Sequence, residues 1–286
     1  KGQNERAPWY ATAEGPQLRT FATSTSIVDD FTGVFKPSTK WYEKKLNADG
    51  TIPANTTFEI ATAGELYSFA QLVDSGVLFE GHTVKLTAKE YDFNPGWDAS
   101  TMAEPTGEDA IIWNPIGDSS KNFQGTFEGN DAVIKGIYVY QDQVKGTGFF
   151  SYIGTTGKVQ NFTLSNSFIK STGTNDGPAN DPILGQMTGA VAGRTNGIME
   201  SVFVDDSVYV RTNTYETGGL TGRFDGVSGG YIQNCWFDGT IYLDYTVEEI
   251  SRIVGGLVGE FWDNPVGRAG LKNCLYTGKI YAKNFM

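Results

Sequence analysis

Four stretches of this chain share one pattern: a small-residue turn, a variable loop, and a strand with Asn at a fixed place. The clearest copy runs Gly255-Gly256-Leu257-Val258-Gly259, then Leu271-Lys272-Asn273-Cys274-Leu275-Tyr276 and Gly278-Lys279-Ile280-Tyr281. Gly218-Gly219-Leu220-Thr221-Gly222 precedes Ile232-Gln233-Asn234-Cys235-Trp236-Phe237 in the same way. Gly189–Gly193 precedes Met199–Val204, and Thr147–Ser151 precedes Val159–Leu164. The Asn column falls at 161, 201, 234 and 273, giving repeats of 40, 33 and 39 residues. A period of this length marks units that bury their apolar faces only against their neighbours.

The columns specify the unit. Val159, Met199, Ile232 and Leu271 lie two residues before the Asn column. Phe162, Val202, Cys235 and Cys274 lie one after it, Leu164, Val204, Phe237 and Tyr276 three after, and Phe168, Val208, Ile241 and Ile280 seven after. The last three sets share one parity, that of a strand, and the first has the other. The chain must therefore bend at the Asn column to keep all four sets inward. Asn tolerates the left-handed backbone such a bend needs, and stacked Asn side chains can bond along the ladder. Ser201 interrupts the column, so its coil is expected to bend less regularly. Asn166, Asp206, Gly239 and Gly278 form a second turn column. Short alternating strands joined by bends predict an all-β chain, a parallel β-helix solenoid.

The Gly-Gly-Leu-Val-Gly and Lys-Asn-Cys spacing resembles the GLUG-type repeats of bacterial cell-surface and secreted proteins. Ile60–Leu66, Leu86-Thr87-Ala88, Trp113–Gly117 and Phe123–Asn130 resemble the stretch preceding those repeats. The likeness covers roughly residues 50 to 286. It implies a right-handed β-helix from an extracellular bacterial protein, usually large and anchored to the envelope. It implies architecture and address better than activity.

Composition agrees with that address. A net charge of −11 and a pI near 4.6 argue against nucleic acid or anionic lipid as partner, since both need a basic face. No apolar run reaches the length of a membrane-spanning helix, so direct insertion is not expected. The start at Lys1, without an apolar leader, reads as a mature or trimmed product.

Residues 1–57 read as an N-terminal extension whose isolated aromatics pack along the solenoid, and 58–286 as the capped β-helix. Thr62 and Glu65 form a capping box, and Leu66, Phe69, Ala70 and Val73 follow at helical spacing up to Asp74-Ser75-Gly76. This helix is the expected N-terminal cap, covering an end that would otherwise recruit other chains. No second cap precedes Met286, so the chain is expected to be a monomeric piece of a longer protein. Residues 92–110 read as a loop, and 173–186, 224–230, 244–253 and 260–269 as the variable insertions.

Catalytic signals are weak. His82 is the sole histidine and has no nucleophile motif beside it. No His-Glu-x-x-His motif is present, which excludes the zinc-bearing part of the metallopeptidases that carry similar repeats. Asp205-Asp206 and Asp238 are the carboxylates a glycosidase reading would use, but Asp206 sits in a turn column. Asn175-Asp176-Gly177 and Asn180-Asp181 have the oxygen-rich chemistry of a calcium loop without its fixed spacing, so no cofactor is assigned. The candidate ligand-binding residues are aromatic. Ile169, Tyr209, Tyr242 and Tyr281 fall one past the inward Ile column and are expected to form an outward stripe, flanked by Tyr215, Tyr245 and Trp262. Such a stripe suits sugar rings or a protein partner. The competing reading, and the favoured one, is cross-strand stabilisation or cover by the N-terminal segment. The expected function is a non-enzymatic extracellular surface module of an adhesin-like bacterial protein, binding a host surface protein or glycan, or acting as a spacer. The alternative is a carbohydrate-active β-helix enzyme, a glycoside hydrolase or polysaccharide lyase.

Overall fold

A computed structural model describes residues 9–12, 15–18, 35–142, 146–172, 187–226, 229–244, 253–262 and 270–282. Apart from a short antiparallel pair, Trp9–Thr12 with Gly15–Leu18, every strand pairing among them is parallel. The longest sheet stacks Thr57–Ile60, Thr83–Leu86, Thr126–Lys135, Lys158–Ser165, Ile198–Val204, Tyr231–Gln233 and Leu271–Lys272 in that order. We call this the bend sheet. A second, the tyrosine sheet, stacks Tyr138–Gln141, Ser167–Ser171, Val208–Thr212, Thr240–Leu243 and Lys279–Ala282. A third, the arginine sheet, stacks Phe150–Ile153, Ala192–Thr195, Thr221–Phe224 and Val258–Phe261. Met187–Thr188, Glu216–Gly218 and Ile253–Gly255 form a smaller fourth. Each repeat thus contributes a strand to each of the first three sheets, next to the equivalent strand of its neighbours.

The bend column is where the parity argument puts it. Asn161, Ser201, Asn234 and Asn273 all have positive φ, at 59°, 52°, 54° and 51°. Ser201 therefore bends as the asparagines do, contrary to the expectation of irregularity. Its backbone is held by neighbouring coils on both sides, paired from Ile198 to Glu200 and at Phe203 and Val204. That pairing overrides the mild αL cost for Ser. An earlier coil also bends in this column, at Asn130 and Asp131 (φ 54° and 59°), with a bulge between Glu128 and Ala132.

Three of the four inward columns lie in register and are buried in the inner coils, among them Val159, Met199, Ile232, Phe162, Val202, Leu164, Val204 and Phe237. The fourth is displaced. Ile169 pairs with Val139 and Val210, Val210 with Ile241, and Ile241 with Ile280. Ile169 and Val210 are fully buried. The reason is corner length: Ile169 follows Asn161 by eight residues, Val210 follows Ser201 by nine, and Ile241 and Ile280 follow their asparagines by seven.

The helix Ala63–Ser75 begins and ends as the sequence dictates. Thr62 Oγ1 accepts from Glu65 N at 3.2 Å, and Gly76 closes it with φ 108°. It connects Thr57–Ile60 to Thr83–Leu86, and its Phe69 packs on Phe123 and Phe127 of the first bent coil. Trp41, within Lys40–Glu43, is buried against Phe58 and Phe79, so residues 35–57 join this end of the core. The expected cover of the tyrosine face by the remaining N-terminal residues falls largely outside the described residues.

The repeated glycines do two jobs rather than one. Gly219 and Gly256 lie at bends before the arginine sheet, whereas Gly222 and Gly259 lie inside its strands, not in the turn expected of all four. None of the four needs positive φ. What excludes a side chain is proximity: a Cβ on Gly219 would sit 2.2 Å from the Gly256 carbonyl oxygen and 2.5 Å from the Phe237 ring. Gly219→Ala is therefore expected to cost about 1–3 kcal/mol by overpacking, read as a lower denaturation midpoint at unchanged slope. An unaltered midpoint would show that the coils can spread at no cost.

Candidate functional site

The strand register redraws the aromatic stripe. On the outer face of the tyrosine sheet, Tyr209 pairs with Phe168 and Thr240, not with Tyr242. Ile169, counted as outward from sequence, is in the core. Two outward columns result. One runs Tyr138, Phe168, Tyr209, Thr240, Lys279, and the other Tyr140, Lys170, Arg211, Tyr242, Tyr281.

The first column is covered by the loop after Asp92. Its Trp97 meets Tyr138 edge-on at 6.0 Å, and Trp97, Met102 and Ile112 pack with Tyr138, Phe168 and Tyr209 around buried Ala99. Asn166, at the corner of the neighbouring coil, pins the loop: its side chain accepts from Ala99 N (2.9 Å) and donates to Trp97 O (2.7 Å). Burial raises the Tyr209 phenol, and pushes that of Tyr138 up to about 12. Tyr209 is thus part of a packed layer and leaves the candidate site.

Among the described residues nothing covers the second column. Tyr140 and Tyr281 are 44% and 50% exposed. Tyr242 and Tyr281 stack nearly parallel, 5.2 Å between centroids. Lys170 Nζ lies 5.1 Å over the Tyr140 ring, a cation–π contact. Arg211 donates through Nε to Asp244 on the next coil. Two cations between three rings on successive rungs form a flat strip, which the fixed-offset count missed because the corners differ in length. The alternation Tyr138-x-Tyr140 and Lys170, Arg211 at the strand ends was the signal available.

The other aromatic candidates lie elsewhere. Tyr215 is half-buried just before the Glu216–Gly218 strand, and Tyr245 falls outside the described residues. Trp262 follows the last strand of the arginine sheet, where its ring lies 4.7 Å from the Arg223 guanidinium. It does not adjoin Tyr242.

That contact belongs to a cluster sequence reasoning overlooked. On the outer face of the arginine sheet, Tyr152, Arg194, Arg223 and Glu260 occupy one column. Asp225 accepts from Nε of both Arg194 and Arg223, and Glu216 lies 3.5 Å from Arg223. Three carboxylates face two guanidinium groups, so one added proton leaves the set neutral. Burial first, then Glu260, pushes Glu216 up to about 8 against the pull of Arg223. Glu216, Asp225 and Arg223 are 1%, 2% and 5% exposed, so the centre of the cluster is buried, while Arg194 and Glu260 at its edge are partly exposed. No single strand carries a signal for it, because its members come from successive coils.

The carboxylates and the histidine singled out from sequence lie apart, with Asp205 and Asp206 at one turn. Asp205 Oδ1 accepts from Ser207 N at 3.0 Å, and Asp238 Oδ1 from Thr277 Oγ1. His82 Nδ1 accepts from Thr56 N at 3.2 Å beside a shallow hollow of about 440 Å³ shared with Gln124 and Thr156. Among the described residues no His, Cys, Asp or Glu cluster could hold a metal, and no helix is long and apolar enough to cross a membrane. The 173–186 loop lies outside the described residues.

Cys235 and Cys274 face each other on adjacent coils, since Gln233 pairs with Lys272 and Trp236 with Leu275 on either side. Both are free thiols. The proximity of the two thiols, and then burial, raise Cys235, and the same proximity draws Cys274 down to about 6.

No family model matches the chain. Over 108 residues it is 30% identical to a protein provisionally named a Gly-rich membrane protein in Evansella cellulosilytica, a match covering 38% of this chain and 11% of that one. It is 28% identical over 181 residues to halomucin of Haloquadratum walsbyi, covering 61% of this chain and 2% of that one. The chain thus spans a small fraction of the length of the curated relatives it matches. Among solved structures, it resembles a protein of Bacteroides ovatus provisionally described as an immunoglobulin A1 protease, with 16% identity, a TM-score of 0.38, and coverage of 79% and 67% of the two chains.

Two measurements check these sites. A carboxyl raised in the folded state holds a proton that the unfolded chain gives up. Glu216 therefore costs nothing below its ordinary range near 4.5 and lowers stability as pH rises from there through about 8. Glu216→Gln is expected to flatten the fall in Tm over that window and to raise Tm at its upper end; a pH profile parallel to wild type would refute the assignment. For the cysteines, titration of the unfolded, unreduced chain should find both thiols, and finding none would mean a disulfide.

Proposed function

We propose that the chain is a non-enzymatic module of the bacterial cell surface, a right-handed parallel β-helix built of GLUG-type coils. In this reading the flat strip of the tyrosine sheet is its contact surface for a glycan or host surface protein. The observation that carries the reading is the open column Tyr140, Lys170, Arg211, Tyr242, Tyr281, one side chain per rung on a rigid sheet. Tyr offers large contact area with a polar tip at low entropic cost. The adjoining column, equally aromatic, is sealed by its own loop, so stabilising this sheet does not require open rings.

The β-helix reading is supported by four sheets that pair repeat to repeat in one parallel sense, with a positive-φ residue at each bend. A surface address is supported by the names of two relatives, a membrane protein and halomucin, and by the small share of each that the match occupies. That share suits a segment recurring within long chains. The enzyme alternative would need accessible paired carboxylates. Glu216 and Asp225 are sealed against arginines, Asp205 accepts from Ser207 within the turn that carries Asp206, and Asp238 accepts from Thr277 of the next repeat.

The test is binding of the intact chain to arrayed glycans and to host cells. Tyr242→Ala is expected to weaken binding severalfold with Tm unchanged. A loss of about 1 kcal/mol in stability, with binding per folded molecule unaltered, would make the ring structural and leave a spacer. Turnover of polygalacturonate or peptides, abolished by Asp206→Asn, would overturn the non-enzymatic reading.

A further inference from the structure

The charges in the open column narrow the class of ligand. The chain as a whole carries −11, yet the five side chains of this column include two cations and no acid, and Lys279 adds a third cation on the last rung of the adjoining column. Lys170 has only the Tyr140 ring beneath its ammonium among the described residues. Arg211 is steered by one carboxylate, Asp244, bound through Nε. That bond fixes the guanidinium plane without using its terminal nitrogens, and the side chain remains 39% exposed. A guanidinium so held presents two parallel N–H groups, the geometry that receives a carboxylate at both oxygens.

Rings bracket the two cations. Tyr140 lies on the rung before Lys170, and Tyr242 and Tyr281 on the two rungs after Arg211. Rungs of a sheet are about 4.8 Å apart, so the five positions span about 19 Å across the strands. A ligand lying along them meets a flat ring, two positive charges, and two flat rings.

We propose that this column binds a uronate-containing polysaccharide laid across the strands, with carboxylates on Lys170 and Arg211 and sugar faces on Tyr140, Tyr242 and Tyr281. The assignment rests on the reading of this strip as the contact surface. A neutral glycan would leave Lys170 without a counter-charge among the described residues, and the terminal nitrogens of Arg211, which already pairs with Asp244 through Nε, without an acceptor. A nucleic acid carries one phosphate per nucleotide, and over any length beyond the column it would meet the acidic remainder of the chain. A uronate polymer can place neutral rings against the tyrosines and its charges against the pair between them.

The experiment measures binding of the intact chain to alginate, to neutral laminarin, to dextran sulfate and to single-stranded DNA, at about 50 and 200 mM salt. Alginate is expected to bind at least about tenfold more tightly than laminarin, and to weaken with salt. Lys170→Gln with Arg211→Gln should remove that preference while circular dichroism and Tm stay near wild type. Arg211→Lys, which keeps the charge and loses the fork, should retain only part of it. Should the double variant fold poorly, Arg211→Lys alone carries the test. Equal binding of laminarin and alginate, or alginate binding untouched by both variants, would overturn the uronate assignment yet keep the strip as a contact surface if Tyr242→Ala still weakens binding. Tighter binding of dextran sulfate or of DNA than of alginate would replace the uronate by a sulfate or by nucleic acid. Binding of none of the four would overturn the uronate assignment, and the contact surface with it if glycan arrays and host cells are also negative.

Discussion

Everything in this molecule hangs on a backbone angle repeated once per coil. At Asn161, Ser201, Asn234 and Asn273 the chain passes through the left-handed region and changes direction within one residue. Strand parity alone would send half of the apolar residues outward after such a corner. With it, Val159 and Phe162 both reach the core from opposite sides of the same bend. The cost of positive φ is small for Asn and modest for Ser, and it is offset because parallel neighbours hold the strands on either side. The asparagines also touch one another, with Asn273 Nδ2 donating to Asn234 Oδ1 at 3.3 Å, so the corner is tied between coils as well as within them.

Close approach of coils follows from that corner and sets the glycine pattern. Because equivalent strands of successive repeats lie side by side, backbone meets backbone both at the bends and within the strands that follow them. At Gly219 the neighbour is the Gly256 carbonyl, and at Gly222 a Cβ would lie 2.5 Å from Thr188 N. The Gly-Gly-Leu-x-Gly signature is therefore a record of packing between repeats more than of turn conformation. Leu220, at its centre, is fully buried.

Much of this was legible in the sequence, and the parts that were not have one cause. Columns close to the bend were readable, since few residues separate Asn161 from Phe162 and Leu164. The helix was readable too, as Thr62, Glu65 and Gly76 carry its ends locally. Tyr209 and Ile169 were misplaced because they lie beyond a second corner of variable length, and counting cannot see through it. The arginine–carboxylate cluster was invisible for a related reason: Arg194, Glu216, Arg223, Asp225 and Glu260 are drawn from three repeats and meet only once the coils are stacked. The cover over Tyr209 depended on Asn166 bonding a loop 67 residues upstream, a contact no periodicity announces.

The variable corner between the bend and the tyrosine sheet works as a vernier. Seven, eight or nine residues separate the bend from the position that pairs into the column Val139, Ile169, Val210, Ile241, Ile280, and the sheet accepts all three. Beyond that corner, strand alternation restores the inward set, while the side chains that reach solvent are chosen anew. A single insertion within a strand would turn an apolar set outward and unmake the coil. The same insertion at Asp205-Asp206 or Gly239 leaves the interior alone and rewrites one line of the surface. Repeats of this kind can therefore diversify what they display by changing length at one place, without a compensating change in the core.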